Sequence, residues 1–135
     1  MIGILADVNA QGHIEYLVAL MQAEPWSEFW QGLGLTFRRF DDVGLSADAG
    51  DREIWQRCQA EGIVLITDNR NDEGPDSLEA TIRELNSSDA LPVFTIADLD
   101  RFRANREYAD RIVERLYSYL LEIDGVRGTG RLFLP

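Results

Sequence analysis

The chain has 135 residues and a formal net charge of -11. Its 45% apolar fraction is typical of a packed globular domain and excludes an intrinsically disordered chain. The negative field of the whole molecule repels polyanions and anionic membranes, which disfavours tight non-specific binding to nucleic acid. All 13 basic residues are arginine, and this excludes sites that need a lysine, such as a Walker A loop or a Schiff base.

The first part of the chain alternates strand patterns with helix patterns. Residues 2–7 predict a short apolar strand, and residues 13–24 carry apolar side chains at helical spacing. A second helical segment begins at Pro25 and is ended by Gly32 and Gly34. Residues 35–40, "LTFRRF", predict a second strand. Strand and helix therefore follow each other from the start.

The middle of the chain contains the clearest strand. A helix that ends at Gly62 leads into residues 63–67, "IVLIT", a continuous β-branched and aliphatic run typical of a central parallel strand. Asp76 and Glu79 have the spacing of a capping box at the start of the next helix. Residues 91–96, "LPVFTI", predict another buried strand.

The last part reads as one long helix and a tail. An amphipathic pattern predicts a helix from about residue 100 to 123, followed by a Gly-rich tail over residues 124–135. The tail motif "GVRGTG" lacks the strand before it and the helix after it that a dinucleotide loop needs, so we predict a flexible turn or an exchanged tail. The whole pattern predicts a single α/β domain of residues 1–135, a three-layer α/β/α sandwich with a mostly parallel sheet.

Polar side chains follow two of the predicted strands. In this architecture ligands bind beyond the carboxyl ends of the strands. Carboxylate and amide oxygens there suit Mg²⁺ or Mn²⁺, which takes one or two carboxylates plus waters and a substrate phosphate. Such a metal can activate water for phosphodiester cleavage. The polar side chains at the ends of these two strands are Asp7, Asn9, Asp68, Asn69, Arg70 and Asn71.

Structural roles compete with each of these assignments. The alternative for Asp7 is a turn aspartate that bonds its own backbone two residues on, although its position at the carboxyl end of a strand favours a functional role. Asp51 can project from the start of its helix to the same edge or merely offset the helix dipole, and Asp48 is its nearest competitor. The segment around Asp68 has the composition of an ordinary turn, and Arg70 can bind a phosphate or pair with a neighbouring acid.

Two further residue types are scarce enough to single out. Cys58 is the only cysteine and occupies an apolar position of a helix pattern, which predicts a buried structural thiol and not a nucleophile. His13 is the only histidine and begins a helix near the "DVN" turn. A capping or solvent-facing role is favoured for His13 over acid/base chemistry.

Two stretches, together with the order of the strands and helices around them, resemble a known family. "ILADVN", "GDREIWQRCQAEGIVLITDNRN" and the order of strands and helices around them resemble the short PIN-like domains related to VapC-type toxin ribonucleases. In those domains the first strand ends in Asp, a helix opens with a D-x-E-I pattern and a strand ends in Thr-x-Asp-x-Asp. The resemblance covers about residues 2–97. When Thr67 is aligned with that threonine, Asn69 and Asn71 stand in place of the two aspartates and Asp68 is displaced by one position.

The resemblance implies a PIN-like fold and a ribonuclease dependent on Mg or Mn, of bacterial toxin–antitoxin type. Its implied substrate is RNA, and its implied protein partner is an antitoxin-like chain or a second copy of this one. The implied catalytic residues are Asp7, Asp51 and Asp68; the metal ligands are these three with Asn69 and Asn71; and the substrate-binding residues are Arg70 and Asn9.

Three functions are therefore predicted as alternatives. The first is a metal-dependent ribonuclease, and the second is a catalytically impaired PIN-like module that binds a protein partner or dimerises. The third takes Asp7 as the nucleophile of a small-molecule phosphatase. No signal-peptide pattern or membrane span is apparent in the sequence, so we expect a cytoplasmic protein that does not bind membranes.

Overall fold

The computed structural model describes residues 2–70 and 72–135, which form five strands and seven α-helices. The elements in chain order are β1 (Gly3–Ala6), α1 (Gln11–Gln22), α2 (Ser27–Leu33), β2 (Thr36–Arg38), α3 (Asp51–Glu61), β3 (Ile63–Thr67), α4 (Leu78–Leu85), β4 (Val93–Ile96), α5 (Leu99–Ala104), α6 (Arg106–Leu121), α7 (Ile123–Val126) and β5 (Arg131–Leu134). Short 3-10 turns follow β1 and β2.

The five strands form one sheet in the order β2-β1-β3-β4-β5, and all pairings are parallel. The chain first moves from β1 outward to β2, then crosses back to β3 on the other side of β1. The direction of winding therefore reverses between β1 and β3. In doubly wound sheets of this strand order, that reversal opens a crevice at the carboxyl ends of the two strands.

Helices cover both faces of the sheet because successive strand side chains point to opposite faces. One face packs against α1 and α6, and its buried strand residues are Ile4, Ala6, Val64, Ile66, Phe94, Ile96 and Leu134. The opposite face packs against α3 and α4, and its buried strand residues are Leu5, Ile63, Leu65 and Val93. The predicted three-layer α/β/α architecture is therefore confirmed.

Helix ends show where local sequence signals decide the structure. Gly34 and Gly62 end α2 and α3 in the left-handed conformation, with φ of 64° and 68°, as predicted. Gly32, which was also predicted to end α2, lies inside that helix. The predicted capping box at α4 is wrong by one residue. Ser77 is the cap, and its hydroxyl accepts a hydrogen bond from the backbone N–H of Ala80 at 3.1 Å.

The long C-terminal helix predicted over residues 100–123 is divided into three. Asn105 leaves the helical conformation between α5 and α6, and its side chain accepts a hydrogen bond from the Tyr108 N–H at 3.0 Å. An asparagine that caps a new helix breaks an amphipathic pattern that otherwise runs through it.

Within residues 2–70 and 72–135, no helix combines the length and the apolarity needed to cross a bilayer.

The Gly-rich tail is part of the sheet. Residues 131–134 form β5 beside β4 of the same chain, which corrects the prediction of an exchanged tail, while the flexibility of the "GVRGTG" turn stays a prediction. Gly130 has a φ of 83°, and a Cβ atom there would lie 3.0 Å from the Ile82 side chain, so glycine allows the close approach. The carbonyl of Gly130 accepts a hydrogen bond from the Val93 N–H at 2.9 Å, which joins the turn to the start of β4.

Burial of Cys58 predicts a loss of stability at alkaline pH. The thiol is 2% exposed in α3, and burial raises its pKa from 9.0 to about 12. The unfolded chain loses this proton above pH 9 while the folded chain keeps it. The contribution of Cys58 to the free energy of unfolding is therefore constant below pH 9. As pH rises from 9 to about 12, the free energy of unfolding falls by about 1.4 kcal/mol per pH unit.

Urea denaturation at several pH values between 8 and 11 measures this effect. In Cys58→Ala the slope of unfolding free energy against pH is expected to be shallower than in the parent protein, because the titrating group is gone. The slopes are compared instead of the absolute stabilities, since the smaller side chain also leaves a cavity. Burial also raises the pKa of Tyr117 to about 12, so both proteins retain a tyrosine contribution. Equal slopes would contradict the prediction.

Candidate functional site

The candidate site lies at the crevice between β1 and β3. Asp7 directly follows β1, and Thr67 is the last residue of β3. The backbone N–H of Asp7 donates to the carbonyl of Ile66 at 3.3 Å, which extends the pairing of the two strands past the end of β1. Both side chains therefore lie at the position where a doubly wound sheet binds its ligands.

Asp7 is a buried carboxylate that accepts hydrogen bonds from two other residues. Its side chain is only 6% exposed. One oxygen accepts from the backbone N–H of Asn9 at 3.1 Å, and the other accepts from the Thr67 hydroxyl at 2.7 Å. The first bond is the turn interaction that the structural alternative predicts, and it caps the 3-10 turn after β1. The second bond joins Asp7 to the neighbouring strand.

A second carboxylate is joined to the same group. The Thr67 oxygen accepts from the backbone N–H of Asn69 at 3.0 Å. The Asn69 side-chain amide in turn donates to both oxygens of Asp51, at 3.2 Å each. Asp51 is the first residue of α3 and is partly buried. A continuous set of hydrogen bonds thus connects Asp7, Thr67, Asn69 and Asp51.

This cluster, Asp7, Thr67, Asn69 and Asp51, is referred to below as the rim cluster. Each carboxylate offers about four lone-pair positions, and the hydrogen bonds above use two on each, so acceptor positions remain on both. All the free acceptors are oxygens. The set matches the one or two carboxylates with which proteins hold Mg²⁺. The donor chemistry therefore fits a hard divalent cation.

A buried arginine of the C-terminal strand β5 binds the cluster through Asn69. The side chain of Arg131 is 7% exposed. Its guanidinium donates to the carbonyl of Asn69 at 2.8 Å, to the Thr95 hydroxyl at 2.6 Å and to the Glu79 carboxylate at 2.5 Å. Neither Arg131 nor Thr67 is among the site residues predicted from the sequence. An arginine at the start of the otherwise apolar run "RLFLP" is the signal that points to it.

Other predicted site residues lie apart from the rim cluster. The side chains of Asp68 and Arg70 are exposed, and Asn9 contributes its backbone N–H while its side chain is exposed. Asn71 lies outside the described residues. In the part of the chain that the structure describes, no group of three or more His, Cys, Asp or Glu residues is arranged to hold a metal ion. The structure thus joins Asp7 with Asp51 through Thr67 and Asn69, and does not add Asp68 as a third carboxylate.

Asp48, the competitor of Asp51, is an exposed loop residue that accepts from the Ser46 hydroxyl at 2.5 Å, outside the rim cluster. His13 is half-buried in the first turn of α1, where its Nδ1 is buried without a hydrogen-bond partner among the described residues.

A cleft opens beside the rim cluster. Its volume is about 180 Å³, and its lining residues are Val8, Gln11, Arg39, Phe40, Asp41 and Ala47. The segment that supplies Val8 and Gln11 directly follows Asp7, and the segment that supplies Arg39 follows β2. The cleft therefore lies at the same edge of the sheet as the carboxylates, with one arginine in its wall.

Comparison of the chain with protein-family models, with curated proteins and with solved structures gives no match.

Proposed function

We propose that the chain is a divalent-cation-dependent ribonuclease of PIN-like type, with Asp7 and Asp51 as the cation ligands. The observation that carries this proposal is the rim cluster: two carboxylates distant in sequence are joined by Thr67 and Asn69 at the crevice between β1 and β3. Ordinary turn and capping roles account for either aspartate alone. They do not account for a hydrogen-bonded connection between the two.

The residues of the cluster have separable tasks. Asp7 and Asp51 hold the cation, and Thr67 and Asn69 fix the orientation of the two carboxylates by donating to them. A bound Mg²⁺ or Mn²⁺ supplies the positive charge that stabilises phosphodiester cleavage and lowers the pKa of water. The Asn69 amide adds no charge of its own, so a site with two carboxylates binds its cation more weakly than one with three or four.

Positive side chains near the cluster provide contacts for a nucleic acid despite the net charge of -11. Arg39 lines the cleft, and its guanidinium is 3.7 Å from Glu15 of α1. Arg103 of α5 donates to the carbonyl of Gly12 at 3.3 Å and lies over the Tyr16 ring. Both arginines thus lie against the first turns of α1, beside the segment that contains Asp7. Arginine forks and exposed aromatic rings are the groups that bind phosphates and unpaired bases.

Calorimetric titration with Mn²⁺ and Mg²⁺, followed by a cleavage assay on single-stranded RNA, tests the proposal. We expect one cation per chain and cleavage that EDTA abolishes. Mn²⁺ at 100 times its Kd should stabilise the fold by about 2.7 kcal/mol, a rise in melting temperature of roughly 10 °C. Absence of both a binding heat and a thermal shift would refute the proposal.

A second candidate is the PIN-like module that binds an antitoxin-like protein or a second copy of itself without cleaving RNA. Two observations favour it: the net charge of -11, and the lack of a third carboxylate at the rim cluster in the residues that the structure describes. This candidate predicts a melting temperature that Mn²⁺ does not change, together with a dimer or a protein complex in sedimentation. The phosphatase alternative and the cytoplasmic location stay predictions.

A further inference from the structure

We propose that Arg131 is a positioning residue for the rim cluster, through which the C-terminal strand holds the loop after β3 in place. The inference deepens the proposed function and rests on it where cation binding is concerned. Arg131 does not contact Asp7 or Asp51 in any hydrogen bond. It acts on Asn69, whose backbone carbonyl it binds at 2.8 Å and whose side chain binds Asp51.

The geometry of β5 gives Arg131 its reach. The Cα atom of Arg131 is in register with Val93 at the start of β4. Its guanidinium nevertheless binds the Thr95 hydroxyl, two residues further along β4, and continues to the Asn69 carbonyl beyond the end of β3. The side chain therefore runs along the sheet towards the carboxyl edge. A shorter side chain at position 131 leaves the loop carbonyl without this donor.

The energetics of the arginine indicate a role in addition to stabilising the fold. The Nη2 atom of Arg131 is buried and has no hydrogen-bond partner within the described part of the chain. A buried charge with an unsatisfied donor is costly, and apolar residues of similar size often stabilise such positions equally well or better. A buried arginine that keeps an unpaired donor while it binds the loop of a candidate site is therefore a candidate for functional constraint.

The charge of the guanidinium has a second effect on the same groups. Arg131 binds Glu79 at the start of α4, and Asn69, which Arg131 also binds, donates to Asp51 at the start of α3. Arg131 binds Glu79 directly at 2.5 Å, which fixes the start of α4 against the sheet and offsets one of these negative charges. Arg131 therefore binds one described residue on each side of the segment between β3 and α4, Asn69 after β3 and Glu79 in the first turn of α4.

Arg131→Met tests the inference because it removes the guanidinium and keeps an unbranched apolar stem. The first measurement is made without metal. In Arg131→Met the backbone ¹⁵N order parameter of Asn69 should fall from about 0.85, the value of a rigid backbone, towards about 0.6. The second is the Kd for Mn²⁺, which should rise by about 10- to 100-fold, the usual result of losing a group that supports a metal ligand.

Arg127→Met is the matched control. Arg127 lies in the same C-terminal segment and binds Asp124 and the carbonyl of Asp89, away from the rim cluster. It should change neither the Asn69 order parameter nor the Kd. If Arg131→Met does not fold, Arg131→Lys is measured in the same way; it retains the charge but not the fork, and we expect a smaller fall in the order parameter.

The metal-free measurement separates this inference from the proposed function. A parent protein that binds no Mn²⁺ refutes the ribonuclease proposal, yet the Asn69 order parameter still decides whether Arg131 positions the loop. An Asn69 that stays as rigid in the Arg131 variants as in the parent protein overturns the inference. Loss of order in Arg131→Met but not in Arg127→Met supports it.

Discussion

Asp7→Asn is expected to raise the Kd for Mn²⁺ by more than about 100-fold and to reduce RNA cleavage to background. Loss of a residue that merely supports a metal ligand typically costs about 10- to 100-fold in affinity, and Asp7 is a proposed ligand itself. Asparagine preserves the shape of the side chain. Its oxygen can still accept from the Asn9 N–H, and its amide can donate to the Thr67 oxygen. Calorimetry and the RNA assay measure the loss.

The same substitution should leave the metal-free protein folded, because asparagine has nearly the shape of aspartate and its side chain can still bond with Asn9 and Thr67. Asp100→Asn is the control: it makes the same charge change on an exposed side chain in the first turn of α5 and should alter neither cation binding nor cleavage. Cleavage at the parental rate by folded Asp7→Asn would contradict the ligand role.

Asp68→Asn distinguishes a site of two carboxylates from the predicted site of three. The rim cluster excludes the exposed Asp68 side chain, so we expect the Kd for Mn²⁺ to change by less than about threefold. The alternation of side chains along a strand explains this arrangement. Continued past the end of β3, it places residues 67 and 69 on one side and residue 68 on the other, and Thr67 and Asn69 are the two residues that connect Asp7 with Asp51.

The positions of β1 to β4 were predictable because their signals are local. "IVLIT" is apolar throughout since both of its faces are covered by helices, and Gly62 ends the preceding helix because it adopts a positive φ. Asp7 and Asp51 were predictable as residues at the ends of elements. No short stretch of sequence predicts the hydrogen-bond partner of either carboxylate or the register between β1 and β3.

The features that sequence reasoning missed depend on contacts between distant residues. β5 exists because "RLFL" pairs with β4, and nothing within the tail itself distinguishes that pairing from an unattached apolar end. Arg131 likewise joins the cluster through residues 36 and 62 positions away, Thr95 and Asn69. The break at Asn105 is different: a local cap competes there with a helix pattern that tolerates asparagine.

Phe102→Ala should destabilise the fold by about 3–5 kcal/mol, the usual cost of removing a fully buried phenylalanine. The side chain is 0% exposed, and its ring centroid lies 5.3 Å from that of Tyr16, so it joins α5 to α1. Such a loss is a large part of the 5–15 kcal/mol typical of a domain. Urea denaturation monitored by circular dichroism measures it.

Phe133→Ala provides the matched control, because Phe133 is 53% exposed on the edge strand β5. It should cost less than about 1 kcal/mol, since a side chain that is already half in water loses little burial. The comparison also tests whether the helix is divided at Asn105, because Phe102 contacts α1 from α5, the short helix that precedes this break. Equal losses in the two variants would mean that α5 does not pack there, and that Arg103, which follows Phe102 and binds Gly12, does not lie beside the rim cluster.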